Sequence, residues 1–261
     1  MDALQLVFEE PPAAAGSLPP EVAALYGGAL SLPDDVLYCN FVSSLDGVVA
    51  LDAPGAGAGP TISGRSPADR LVMGILRALA EVVVVGAGTL RADSGHLWTP
   101  AYIYPPLADA FARLGEPRLA VVTASGEIDP SERALQPDGL ILTTDAGEAW
   151  LRGKLTGGTR VRSLGSGPLG GRRILEALRA EGHRRILTEG GPHLMARFLE
   201  EALLDSLFLT LSPVLAGRSA GDGRLGLLEG LELLPARPEW WRLASVRRHR
   251  SHLFLRYDRT R

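Results

Sequence analysis

A chain of 261 residues is long enough for one large domain or two small ones, and 46% hydrophobic residues can furnish a sizeable core. A net charge of −3 offers no basic surface for nucleic acid, and a single cysteine, Cys39, excludes an internal disulfide framework and a multi-cysteine metal site. No apolar run reaches the roughly 18 residues of a membrane-spanning helix, and Glu9 and Glu10 stand where a secretory signal would be basic, so a cytoplasmic protein is expected.

Residues 1–34 are rich in proline and alanine and read as an N-terminal extension, an extended arm with one short helix near Glu21–Tyr26. A single domain is expected over residues 35–261. Val36–Val42 reads as its first strand, with Cys39 a buried thiol. Ser43–Gly47 is a turn signal, and Val48–Leu51 reads as extended. Pro54–Gly59 is a small-residue loop. Ser66 is a good helix cap and Pro67 a good first residue, opening a helix to Ala80 with Leu71, Ile75, Leu76 and Leu79 inward.

Val82–Val85 is a run of valines that suits a central parallel strand covered on both faces. It runs into Gly86-Ala87-Gly88-Thr89, but Arg91 stands where a dinucleotide fingerprint has its third glycine. A loop and a short helix around Leu107–Leu114 follow. Strands are then expected at Arg118–Thr123, Gly139–Thr143 and Thr159–Leu164, with helices near Ala146–Arg152 and Gly170–Glu181.

Arg185–Thr188 is another short apolar strand. Gly190-Gly191 removes two Cβ atoms at the turn, so a ligand or another backbone can approach closely. Pro192 opens a helix carrying Leu194, Phe198, Leu199 and Leu203 at helical spacing. Such a helix start favours an anion, yet Glu189 places a carboxylate beside it. Ser206–Leu211 is a strand, residues 218–238 a loop, and Trp240–Arg247 with His252–Tyr257 a terminal hairpin.

This alternation predicts an α/β fold: a mostly parallel twisted sheet, helices on both faces, and a C-terminal antiparallel hairpin. Ligands of such sheets sit at the carboxyl ends of strands. Small-residue turns fall there at Gly86–Thr89, Ala124–Gly126, Thr143-Thr144 and Glu189–Gly191, forming a lip for one long polyanionic ligand.

Four segments resemble the reductase domain of the riboflavin-biosynthesis deaminase–reductase family and its stand-alone pyrimidine reductases. They are FVSSLDGVVA (41–50), ISGRSPADRLVMGILRALAEVVVVGAGTLRAD (62–93), RLAVVTASGEID (118–129) and RRILTEGGPHLMARFLEEALLDSLFLTLSPVLAG (184–217). The resemblance implies a dihydrofolate-reductase-like fold, NADPH as cofactor, a homodimer, and a small heterocyclic, phosphorylated substrate. The implied reaction reduces the ribosyl side chain of 5-amino-6-(5-phosphoribosylamino)uracil to ribityl. The family's zinc-dependent deaminase needs cysteine ligands, and a chain with one cysteine is not expected to hold it.

Carried over residue by residue, the resemblance puts Gly86, Ala87 and Gly88 along the cofactor pyrophosphate, Thr89 and Asp93 in the same segment, and Ser125 near the 2′-phosphate. Gly190, Gly191, Pro192, His193 and Leu194 fall over the nicotinamide-side phosphates. Asn40, Ser63, Arg65, Arg77, Leu97 and Glu189 become substrate contacts, with Arg77 on the phosphate. Asp46 and Glu189 become the candidate catalytic carboxylates. Thr61 and Pro100 stand where the family often has an aromatic and a basic residue, which leaves room for another substrate. The residues themselves keep simpler readings open. Glu189 could cap backbone N–H groups, Asp46 could only build an Asp-Gly turn, and Arg65, Arg77 and His193 could be solvated. Trp240-Trp241 could stack on a ligand or serve as core or dimer contacts. Reduction of dihydrofolate or another pterin or pyrimidine, and a non-catalytic nucleotide-binding regulator, are the competing functions.

Overall fold

The computed structural model describes residues 1–10, 18–51, 58–135, 137–155, 157–219, 221 and 223–260. Among them, ten strands form one sheet in the order β1-β9-β10-β8-β2-β7-β3-β4-β5-β6. The parallel part is β8 (Ser206–Leu211), β2 (Val36–Ser43), β7 (Arg185–Thr188), β3 (Val82–Gly86), β4 (Arg118–Val122), β5 (Leu140–Thr143) and β6 (Arg160–Ser163). The antiparallel part is β1 (Gln5–Glu9), β9 (Trp241–His249) and β10 (His252–Arg259), joined to β8.

The valine run explains the two-sided architecture. Val83 and Val85 point to one face, where α1 (Pro20–Tyr26), α3 (Pro67–Leu79) and α6 (Ala108–Ala112) supply Val22, Leu71, Ile75 and Phe111. Val82 and Val84 point to the other, against Ile174 and Leu178 of α8 (Gly171–Ala180) and Met195 and Phe198 of α9 (Pro192–Glu200). All four valines are fully buried. Burying a side chain of this kind contributes about 1.5–3 kcal/mol, so the strand is apolar on both sides by necessity. Cys39 of β2 is equally buried, and burial pushes its thiol pKa up.

Helix α3 starts as its sequence demands. The Ser66 hydroxyl accepts from the Asp69 N–H at 3.4 Å, and Pro67 takes the first turn. Its apolar face packs on the sheet. The row Asp69, Met73 and Arg77, at spacings of four, turns toward the carboxyl ends of the strands.

Several expectations are corrected. Gln5–Glu9 is not an arm but the edge strand β1, paired with β9. Val48–Leu51 forms no strand; a lone bridge joins Ala50 to Leu225. The short helix expected around Leu107–Leu114 is α6, but the loop expected before it also holds α5 (Pro100–Ile103) and a 3₁₀ turn at Pro105–Leu107. Prolines at 100, 105 and 106 break any longer helix there. Of the small-residue loop, 54–57 lie outside the described residues, while Ala58 and Gly59 open α2 (Ala58–Ile62). Trp240 is 79% exposed, so it is not core, whereas Trp241 packs half-buried against the α8–α9 side.

β1 and α1 are tied to the sheet by Arg247 of β9. Its guanidinium lies 4.0 Å over the Tyr26 ring, donates to the Tyr26 carbonyl at 3.1 Å and pairs with Glu9 at 2.6 Å. Its side chain is only 1% exposed. Glu9→Ala would leave that buried charge without its counter-ion. A loss of about 1–3 kcal/mol is expected, read by urea denaturation, with Glu9→Gln losing less because its carbonyl still accepts. Equal stability of both variants and the wild type would contradict this role.

Candidate active site

After β2 the chain reaches α3 on one face, and it leaves β7 through α9 on the other. β2, β7 and β3 are adjacent, so their carboxyl ends enclose a crevice where the connections diverge, the usual ligand position in such sheets. A cavity of about 620 Å³ opens there. Its walls come from β2 (Asn40–Val42), the α2–α3 turn (Ser63, Arg65), α3 (Asp69, Arg70, Met73, Arg77), the segment after β3 (Thr89, Asp93, His96, Trp98, Tyr102) and the β7–α9 turn (Glu189–Pro192).

Two glycine turns meet beside this cavity: Glu189–Pro192 line it, whereas of Gly86–Thr89 only Thr89 does, with Gly86, Ala87 and Gly88 outside the wall. A Cβ on Gly190 would lie 2.5 Å from Leu194 Cδ2 and 3.2 Å from the Gly86 nitrogen. Glycine at 190 is therefore demanded by the neighbouring turn of its own chain. A Cβ on Gly191 would sit 3.4 Å from the Thr89 hydroxyl. Gly86 and Gly88 are different, because a Cβ on either would enter open space. The Gly86–Thr89 and Glu189–Pro192 turns thus form one unit. At the start of α9, Pro192 has no N–H and the Leu194 and Met195 N–H groups bond to the Gly191 carbonyl, so the N–H groups of Gly191 and His193 are the ones without a partner among the described residues.

Arg77 and Glu189 form a buried pair in the cavity wall, with 2% and 8% of their side chains exposed. Arg77 Nε donates to Glu189 Oε2 at 3.0 Å and Nη2 to the same oxygen at 2.7 Å. Nη1 donates to the Leu97 carbonyl at 3.2 Å, and Nη2 also reaches His96 Nε2 at 3.1 Å. One N–H at Nε, one at Nη1 and two at Nη2 are therefore engaged, four of the five a guanidinium carries. Arg77 is thus not solvated, and one Nη1 N–H remains outside these bonds. Leu97 contributes only its carbonyl to this arrangement.

The contact fixes the charge of His96. A guanidinium has donors only, so Nε2 must accept, and the imidazole is neutral. Burial, and then the Arg77 charge, lower its pKa from the ordinary 6.5 to about 3. The unfolded chain therefore takes up a proton at His96 that the folded chain refuses. This contribution to stability is present above pH 6.5 and is lost as pH falls from 6.5 toward 3. Urea denaturation across that range should show a shallower acid loss in His96→Asn than in the wild type; identical pH slopes would contradict the assignment.

The cavity gathers Asn40, Ser63, Arg65, Arg77, Thr89, Asp93, Glu189, Gly190, Gly191 and Pro192 from the expected residues. Arg65 adopts a left-handed φ of 56° and, among the described residues, has no hydrogen-bond or ion-pair partner. Burial raises the Asp93 carboxyl, with Arg77 opposing. Leu194 is core, and His193 is exposed on α9. Ser125 lies outside the cavity wall, its hydroxyl accepting from the Glu127 N–H at 3.2 Å.

Asp46 is the clearest correction. It does not line the cavity. Its carboxylate accepts from the Ser44 hydroxyl at 2.7 Å, the Ala216 N–H at 2.9 Å and the Gly217 N–H at 2.7 Å. Those bonds, led by Ser44, hold its pKa far below the ordinary range. It clamps two surface loops, as the simpler turn reading allowed.

Sequence reasoning missed Asp69, Met73, His96, Trp98 and Tyr102. The α3 row carried a signal: an aspartate and an arginine eight residues apart on an otherwise buried helix. His96, whose ring centroid is 4.9 Å from those of both Trp98 and Tyr102, lies in an irregular segment without periodicity.

Residues 35–247 match the family model described as the RibD C-terminal domain. The chain belongs to this riboflavin-biosynthesis reductase domain family. No curated protein matches the sequence significantly. Among solved structures, a pyrimidine reductase-like protein from Corynebacterium diphtheriae is 22% identical over 92% of this chain and 98% of that one, with a TM-score of 0.70. RibD of Acinetobacter baumannii is 19% identical over 87% of this chain, with a TM-score of 0.64; the match spans 58% of that protein. The riboflavin biosynthesis reductase Rib7 of Saccharomyces cerevisiae is 13% identical over 90% and 94% of the two chains, with a TM-score of 0.59. At these identities the likeness establishes the shared dihydrofolate-reductase-like fold. The RibD C-terminal domain family thus matches the resemblance carried by the four sequence segments.

Proposed function

We propose that this RibD C-terminal domain is an NADPH-dependent reductase that transfers hydride to the ribosyl side chain of 5-amino-6-(5-phosphoribosylamino)uracil, acting as a cytoplasmic homodimer. The observation that carries the reading is the junction of the two glycine turns with the buried Arg77–Glu189 pair at one cavity. The residues fit a dinucleotide. Space beyond Gly86 and Gly88 is open, and the start of α9 leaves the N–H groups of Gly191 and His193 for an anion. Gly86–Thr89, Asp93 and Gly190–His193 would hold the cofactor, and Ser125 would favour the 2′-phosphate. When bound, the cofactor supplies a hydride.

Glu189 presents its carboxylate to the cavity with its orientation fixed by Arg77. It is suited to accept N–H groups of a pyrimidine ring. Asn40 and Ser63 add polar contacts from the adjoining wall. With Arg77 engaged, Arg65 is the guanidinium best placed for an acidic group of the substrate. The aromatic wall of Trp98 and Tyr102, with Pro100 in place of a basic residue, supports a second reading: the same chemistry on dihydrofolate or another flat heterocycle.

The test is steady-state loss of NADPH absorbance with the ribosylaminopyrimidine phosphate and, separately, with dihydrofolate. The first reading expects turnover on the pyrimidine and little on dihydrofolate; the reverse order selects the second. NADPH binding without turnover on either would favour a regulatory role.

A further inference from the structure

Reduction of a double bond by hydride needs a proton as well, and the Arg77–Glu189 pair does not offer one. Glu189 is engaged as an acceptor by the guanidinium, and His96 is neutral with Nε2 accepting. Two further carboxyl groups line the same cavity, Asp93, half-buried with the Arg77 charge opposing its protonation, and the more deeply buried Asp69. Asp69, in the first turn of α3, is 5% exposed. The hydroxyls of Ser63 in the α2–α3 turn and Thr210 in β8 lie beside it and favour its charged form. No guanidinium is paired with it among the described residues.

We propose that Asp69 is the acid that protonates the substrate atom adjoining the carbon that receives hydride. The assignment rests on the reductase reading above. Hydride adds to the carbon of a polarised C=N or C=O bond. The π electron pair moves onto the nitrogen or oxygen, and that atom takes the proton from the Asp69 carboxyl. The carboxylate left behind is favoured by the neighbouring Ser63 and Thr210 hydroxyls and is reprotonated from water once the product leaves the open cavity.

The surroundings keep a larger fraction of this carboxyl protonated than an ordinary aspartate would have. Burial raises the Asp69 pKa from 3.8 to about 6, and the Glu189 charge adds to the rise. The two hydroxyls and His252 of β10 oppose it. His252 Nε2 lies 3.0 Å from the Ser63 carbonyl, just behind the cavity wall. Arg65 and Arg70 line the same cavity on the solvent side.

The experiment compares wild type, Asp69→Asn and His252→Gln in two readouts. With the wild type, turnover should decline as pH rises above about 6, because the acid form is consumed. Asp69→Asn should lose about 10²–10⁴-fold in turnover and lose that decline, while retaining NADPH affinity and the cooperative unfolding transition. His252→Gln should move the decline to higher pH, since it removes a group that lowers the Asp69 pKa. Independently, infrared difference spectra of the protein alone should show a protonated-carboxyl band that titrates near pH 6 and is absent from Asp69→Asn. Turnover and pH profile of Asp69→Asn equal to the wild type would overturn the assignment, as would loss of the acid function in Asp93→Asn instead. A wild type that reduces none of the heterocycles would instead overturn the reductase reading and the proton donor with it.

Discussion

Arg77→Met is expected to destabilise the protein by about 3–5 kcal/mol, the cost typical of breaking a buried ion pair from one side. The methionine fills much of the volume, so packing changes little. What remains is Glu189, 8% exposed, with its counter-ion gone. The Leu97 carbonyl and His96 Nε2 lose donors at the same moment. Chemical denaturation reads the loss, and a double-mutant cycle isolates the pair. Arg77→Met with Glu189→Leu should recover a large part of it, since two apolar side chains cost less than one orphaned charge. The single variant should also lose turnover, because Glu189 is no longer held in one orientation. Arg77→Lys should rescue poorly, as an ammonium cannot reproduce the fork that reaches Glu189, Leu97 and His96 together. Wild-type stability in Arg77→Met would show that the pair contributes nothing.

Gly190→Ala and Gly88→Ala should separate folding from cofactor binding. At Gly190 the added methyl meets Leu194 at 2.5 Å and the Gly86 nitrogen at 3.2 Å. The second contact is backbone and has little freedom to yield. Forced overpacking of this kind costs about 1–3 kcal/mol, and here it pushes the two turns apart. Stability and NADPH affinity should fall together. At Gly88 the methyl enters open space within α4 (Ala87–Ala92), so stability should hold or rise slightly. If that space is where the pyrophosphate lies, NADPH affinity should still drop at least about tenfold, a loss of 1.4 kcal/mol. Calorimetric titration beside thermal melts checks both. Unchanged NADPH affinity in Gly88→Ala would place the cofactor elsewhere.

The contrast between these glycines shows what a sequence can carry. The parallel core was legible because β3, β5 and β7 are covered on both faces and carry unbroken apolar runs, Val82–Val85, Leu140–Leu142 and Ile186-Leu187. Strand β1 was not, because Leu6, Val7 and Phe8 are all substantially exposed and its partner lies more than 200 residues away. No local pattern encodes that pairing. The site divides in the same way. Positions fixed by turn geometry and helix start, such as Gly190, Gly191 and Pro192, were readable from local chemistry. Roles that depend on distant partners were not. Asp46 is claimed by Ala216 and Gly217, about 170 residues on, and Arg77 by Glu189, 112 residues on. Resemblance named both residues as functional; only the fold shows that one clamps surface loops and the other orients a carboxylate.

In the proposed reaction, hydride from NADPH reaches a heterocyclic substrate in the cavity beside Glu189. The most direct measurement uses NADPH deuterated at the transferable position of its nicotinamide with the ribosylaminopyrimidine phosphate, followed by mass spectrometry of the product. The account predicts one deuteron per product molecule, carried on the side-chain carbon bonded to the pyrimidine amine. A product that forms without deuterium, from either face of labelled NADPH, would contradict it.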